Sequence, residues 1–170
     1  MKNLNEQLSD AIQKLDKQQI LSCIEQGADV NFVNDSGKTV FTDLVLVTKY
    51  KYGDDDSKDE HELKELELEE LGIIELMKLL LEKGADINLY KKELGITALY
   101  IAVNQAKVET VKFLLDNGAN PNHNYFPDEE AEVISTVLNM AYIDKQVNVQ
   151  GYDERFGKII ELLEDKGAIL

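Results

Sequence analysis

Two histidines, one cysteine and a run of three aspartates are the residues of this 170-residue chain whose types could do chemistry. His61-Glu62-Leu63-Lys64-Glu65 matches half of a zinc-protease helix. That motif needs a second histidine one helical turn on, so that both rings face one metal. Glu65 occupies that place, and the other histidine, His123, is far away in the sequence. Asp54-Asp55-Asp56 could attract a divalent cation, but a calcium loop alternates its oxygen ligands and needs a central glycine and a distal glutamate. Cys23 falls on the apolar side of a helical segment with no acidifying neighbour, which suits an inert buried thiol rather than a nucleophile. No Gly-x-Ser-x-Gly, Cys–His pairing, phosphate loop or dinucleotide fingerprint occurs. An enzyme or metal sensor using Asp54, Asp55, Asp56 and His61 therefore ranks last, and the chain reads as non-catalytic, without cofactor or metal.

The elements that would position any site are helical. Apolar residues make up 44% of the chain, with only two prolines and ten glycines, as helices joined by short turns require. The formal charge of −15 repels nucleic-acid backbones and anionic membranes and would speed encounter with a basic partner. The single cysteine cannot form an internal disulfide, so nothing calls for an oxidising compartment. No apolar run approaches a membrane span, and the polar start has no signal-peptide core. The expectation is a cytoplasmic protein, monomeric when free.

A glycine-anchored ending recurs four times: Gly27-Ala28-Asp29-Val30-Asn31, Gly84-Ala85-Asp86-Ile87-Asn88, Gly118-Ala119-Asn120-Pro121-Asn122 and Gly167-Ala168-Ile169-Leu170. The intervals are 57, 34 and 49 residues. Glycine belongs there because the residue after a helix often needs positive φ. Asp29, Asp86 and Asn120 follow as turn organisers, bonding backbone N–H groups through their side chains. A second register agrees: Thr39, Thr97 and Thr136 each open a short apolar helix, with Phe41, Leu99 and Leu138 two residues on. Units this small cannot bury both faces of their helices and must stack on neighbours.

On these motifs the chain resembles an ankyrin-repeat protein. Gly95-Ile96-Thr97-Ala98-Leu99-Tyr100 through Gly118-Ala119-Asn120-Pro121-Asn122 follows the family pattern closely, with Ala98 for the usual proline and Tyr100 for the usual histidine. Gly37-Lys38-Thr39-Val40-Phe41-Thr42 and Thr136-Val137-Leu138-Asn139-Met140-Ala141 match more loosely. The resemblance implies an all-α ankyrin-repeat solenoid of helix-turn-helix units with projecting turns. It would form a single domain over 1–170, with units at about 3–31, 32–88, 89–122 and 123–170 and polar capping repeats at both ends.

In the first unit, Leu4, Leu8, Ala11, Ile12 and Leu15 are spaced as one apolar helical stripe. The second unit departs most from the pattern, with about 24 residues more than the family's repeat length of about 33. Residues 51–71 hold ten acidic residues and three lysines, a net −7. Beyond the turn at Gly53, the spacing of Leu63, Leu66, Leu71, Ile74, Met77, Leu80 and Leu81 predicts one long helix from about Asp59 to Lys83. Leu46 and Val47 fall where the family usually meets solvent, so something should cover them. In the last unit Glu164 replaces the position of Leu115, as a capping repeat would show.

Proteins similar to ankyrin repeats bind other proteins with their turns and inner helices. Carried onto this chain, the variable surface positions are Val33, Asp35, Ser36, Lys38, Tyr90, Lys92, Glu93, Ile96, Asn104 and Gln105, with His123, Asn124, Tyr125, Phe126 and Asp128 in the enlarged fourth loop. Tyr90, Tyr125 and Phe126 suit anchors, though Phe126 equally suits packing beneath its own loop. The acidic patch is Asp54, Asp55, Asp56, Asp59 and Glu60, read either as a solvated face or as a dock for a basic protein. Two binding roles follow: a small stoichiometric inhibitor, such as the immunity protein of a toxin pair, or a scaffold, adaptor or host-directed effector.

Overall fold

The computed structural model describes residues 2–47, 60–91, 95–123, 136–147 and 153–170, apart from the side chains of 60–68, 147 and 153. Among the described residues the chain forms eight helices and no strand. They are α1 (Leu4–Gln13), α2 (Lys17–Glu25), α3 (Val40–Val47), α4 (Glu60–Glu82), α5 (Ala98–Asn104), α6 (Val108–Asp116), α7 (Val137–Val147) and α8 (Asp153–Asp165). The short helices α1, α3, α5 and α7 pack side by side in chain order, and α4, α6 and α8 line up behind them. This is an all-α ankyrin solenoid, each pair burying its apolar stripe against the next.

Helix starts explain the threonine register. The Tyr100 amide donates to Thr97 Oγ1 (3.2 Å) and the Asn139 amide to Thr136 Oγ1 (3.3 Å), each satisfying a first-turn N–H that the helix itself cannot. At Thr39 the bond is reciprocal: the Thr42 amide donates to Thr39 Oγ1 (3.2 Å) while the Thr39 amide donates to Thr42 Oγ1 (2.7 Å). Helix ends explain the glycines. Gly118 adopts φ +89°, and a Cβ built there meets nothing within 4 Å, so the backbone angle rather than crowding selects glycine.

The core is continuous along the stack. Leu8, Ile12 and Ile20 are fully buried in the first pair, Phe41, Leu44, Ile73, Met77 and Leu80 in the second, Leu99 and Leu114 in the third, and Phe156, Ile159 and Leu163 in the last. Each such side chain contributes about 1.5–3 kcal/mol relative to exposure. The long helix predicted from spacing is present as α4. Of the expected stripe, Ile74, Met77 and Leu80 are buried and Leu81 packs against the core, whereas Leu71 is 54% exposed and its neighbour Glu70 is buried in its stead. Leu15, also expected in a helical stripe, lies beyond α1 in a left-handed link (φ 54°) and is exposed. Leu46 is 37% exposed and Val47 half-buried, and the insertion expected to cover them begins in residues outside those described. At the far end Glu164 is exposed where Leu115 is buried, and its Oε1 accepts from the Tyr142 hydroxyl (2.7 Å).

Candidate protein-binding surface

The turns that project from the stack are fixed from within and from the next pair. Within each turn the expected side-chain bonds occur: the Asn31 amide donates to Asp29 Oδ1 (2.8 Å), Asn88 to Asp86 Oδ1 (2.8 Å) and Asn122 to Asn120 Oδ1 (2.9 Å). The last asparagine of each ending then brackets the following one. Asn31 accepts from the Asp86 amide (2.7 Å) and donates to the Gly84 carbonyl (3.0 Å). Asn88 does the same with Asn120 (2.8 Å) and Gly118 (2.9 Å), and Asn122 with Ile169 (2.8 Å) and Gly167 (3.0 Å). Asn5 begins the series by accepting from the Asp29 amide (2.8 Å). A carboxamide is required because only it offers an acceptor and a donor side by side. Asn88→Ala is therefore expected to cost about 2 kcal/mol, and Asn88→Asp about half of that, measured by urea denaturation.

Along the tips, the second-pair turn closes on itself through Asn34, whose carbonyl accepts from Gly37 (2.8 Å) and whose Oδ1 accepts from the Lys38 amide (2.9 Å). This leaves Asp35 and Ser36 exposed. Lys91 Nζ reaches across to the Asp35 carbonyl (3.0 Å). Next to it, Tyr90 is 36% exposed and leans on the His123 ring, with centroids 4.3 Å apart and planes at 58°. His123 Nε2 in turn pairs with the Gly95 carbonyl (3.0 Å). Lys38 sits 3.9 Å from Asp43, which is itself buried and accepts from Ser9 Oγ (2.6 Å). Burial pushes the Asp43 carboxyl up, opposed by that hydroxyl and by the Lys38 charge.

The inner helices contribute a row. Leu46, Asn104 and Ile143 each stand seven residues after a capping threonine, on α3, α5 and α7. Leu46 is 37% and Ile143 59% exposed, with the exposed Asn104 between them near the Met140 sulfur (4.0 Å). The family pattern marks Leu46 as a position that meets solvent, whereas Ile143 stands out only once the threonines are superposed. Among the other positions expected at the surface, Val33, Ile96 and Gln105 are half-buried. Gln105 Oε1 and Asp144 Oδ2 are buried acceptors that no donor among the described residues reaches. Lys92, Glu93, Asn124, Tyr125, Phe126, Asp128, Asp54, Asp55, Asp56 and Asp59 lie outside the described residues, as do the side chains of Glu60 and His61.

Residues 69–144 match the family model for ankyrin repeats, in three copies. The chain is also similar to an ankyrin repeat protein of Acanthamoeba polyphaga mimivirus, 34% identical over 80 residues. That match covers 47% of this chain and spans about a tenth (10%) of the relative's length. Ankyrin repeats imply a protein–protein interaction module. Among the described residues, no helix is long and apolar enough to cross a membrane. Among them, too, no group of three or more His, Cys, Asp or Glu side chains is placed to hold a metal ion.

Proposed function

We propose that the protein is a non-catalytic, acidic binding module that holds a single basic partner protein one-to-one, as an inhibitor or immunity protein does. The turn tips and the inner-helix row form the docking face. The observation that carries this reading is the cross-bonded tip edge, where Lys91 ties itself to Asp35, Tyr90 rests on His123, and His123 pairs with Gly95. An edge held in place before binding loses little freedom when a partner docks, and an exposed aromatic on it is a favourable anchor. The charge of −15 suits steering of a basic partner. In this reading Val33, Asp35, Ser36, Lys38, Tyr90, Ile96, Asn104 and Gln105 serve the face, continued by Lys92, Glu93, Tyr125, Phe126 and Asp128. The patch Asp54, Asp55, Asp56, Asp59 and Glu60 supplies the steering charge.

The test is capture of partners by the tagged protein from its native lysate at low and high salt, followed by titration with the purified partner. Tyr90→Ala combined with Ile143→Ala should weaken binding about 10- to 100-fold while lowering the melting temperature only slightly, since Ile143 is 59% exposed and Tyr90 gives up one ring contact, with His123, at the tip. Association should also slow steeply as salt rises. Binding insensitive to both salt and the double substitution would remove this reading. Capture of large, varied proteins without salt dependence would favour an adaptor instead.

A further inference from the structure

Two charged side chains lie buried between the second and third helix pairs, Lys107 at 1% exposure and Glu70 at 5%. A buried charge is tolerated only where hydrogen bonds replace its water. Lys107 stands at the start of α6, where it has no side-chain oxygen to offer the unpaired amides of the first turn. Glu70, on α4, supplies that oxygen from outside: its Oε1 accepts from both the Thr110 amide (2.8 Å) and the Thr110 hydroxyl (2.8 Å). A carboxylate at a helix N-terminus also meets the positive end of the dipole. Lys107 performs the converse service for α3, its ammonium donating to the Val45 carbonyl in the last turn, where carbonyls have no partner within the helix.

The place of this arrangement is telling. In the first and third pairs a three-residue link leads one helix straight into the next, Lys14–Asp16 and Gln105–Lys107. In the second pair twelve residues separate Val47 from Glu60, so no short link holds the end of α3 against α4. We propose that Lys107 and Glu70 form a crossed clasp by which the third pair holds the second closed in place of that link, each charge capping a helix of another element. The clasp thereby positions the last turn of α3, which carries Leu46 of the inner-helix row. Its consequence for binding rests on the proposed docking face, but the clasp itself is tested without any partner.

Native-state hydrogen exchange on the full chain, resolved to single amides by NMR, distinguishes a clasp from a general stability effect. Lys107→Met should speed exchange at Leu44 to Val47 about tenfold relative to the core amides of α1 and α8. Glu70→Ala should do so at Thr110 and, through Lys107, at the end of α3. The doubly substituted chain should open these amides no more than a few-fold beyond either single variant, since each already breaks the same device. Should either variant fail to fold, Thr110→Val removes only the hydroxyl bond to Glu70 and should still raise exchange there and at the α3 end about two- to fivefold. Exchange that rises evenly from α1 to α8, or that leaves Leu44 to Val47 unchanged, overturns the proposal.

Discussion

Phe41→Ala should lower the unfolding free energy by about 3–5 kcal/mol, as the loss of a fully buried ring does. Phe41 is 1% exposed in α3, the helix that packs on α1, α4 and α5 together. Removing its ring leaves a cavity in a helix packed on three others, and the start of α3 resists shifting to close it because Thr39 and Thr42 are bonded to one another on either side of Phe41 in sequence. Domains of this kind hold only about 5–15 kcal/mol in total, so the variant should sit near its unfolding midpoint at modest urea concentrations. Urea titrations followed by far-ultraviolet circular dichroism measure the change. A loss below about 1.5 kcal/mol would show that α3 repacks, and would place the centre of the core elsewhere. Phe156, buried equally in α8, makes the natural control: α8 packs on α6 and α7, so its loss should loosen the far end first.

What the sequence made legible is what repeats at short range. The glycine stops, the capping threonines and the apolar spacing of α4 each depend on residues within a few positions of one another, and all are legible in the sequence. So is the service of Asp29, Asp86 and Asn120 to their own turns, since those bonds span two residues. The asparagine brackets are not, although Asn31, Asn88 and Asn122 recur as visibly as the glycines. Their partners lie 30 to 55 residues away, at Gly118 and Asp86 for the two extremes, and nothing local says that the carboxamide turns toward the next pair. Leu15 was misplaced for the opposite reason: helical spacing continued past the point where the backbone turns left-handed at φ 54°.

The charged interior was the hardest to foresee. Glu70 belongs by composition to an acidic stretch with a net −7 and reads there as one more solvated carboxylate. Lys107 reads as a surface residue at a helix start. Hydropathy assigns such residues outward because a lone buried charge is costly. Their burial becomes reasonable only when the partners are known, and those stand 40 and 62 residues away, at Thr110 and Val45. The same distance effect divides the candidate surface. Tyr90 and Asp35 were legible as tip residues, whereas the Lys91 and His123 contacts that steady them join different turns.

Lys107 should also leave a mark on the pH dependence of stability. Burial pushes its ammonium down from the ordinary 10.5 to about 8, against the opposing attraction of Glu70. Between those two values the unfolded chain keeps a proton that the folded protein has released. Stability then rises with pH across that window, because unfolding takes up protons that become scarcer. The group's contribution amounts to about 3 kcal/mol between pH 8 and 10.5 and is flat below pH 7, where both states hold the proton. Alkaline pH adds negative charge to a chain already at −15 and works the other way, so the raw curve of the protein mixes the two effects. Subtracting the curve of Lys107→Met isolates the lysine, since the remaining titrating groups are common to both proteins. Urea-derived stabilities at half-unit steps from pH 6.5 to 10.5 should give a difference that climbs in favour of the unsubstituted protein as pH passes about 8. Parallel curves would mean that Lys107 titrates as in water, and that the burial seen at the junction of α3, α4 and α6 is not maintained in solution.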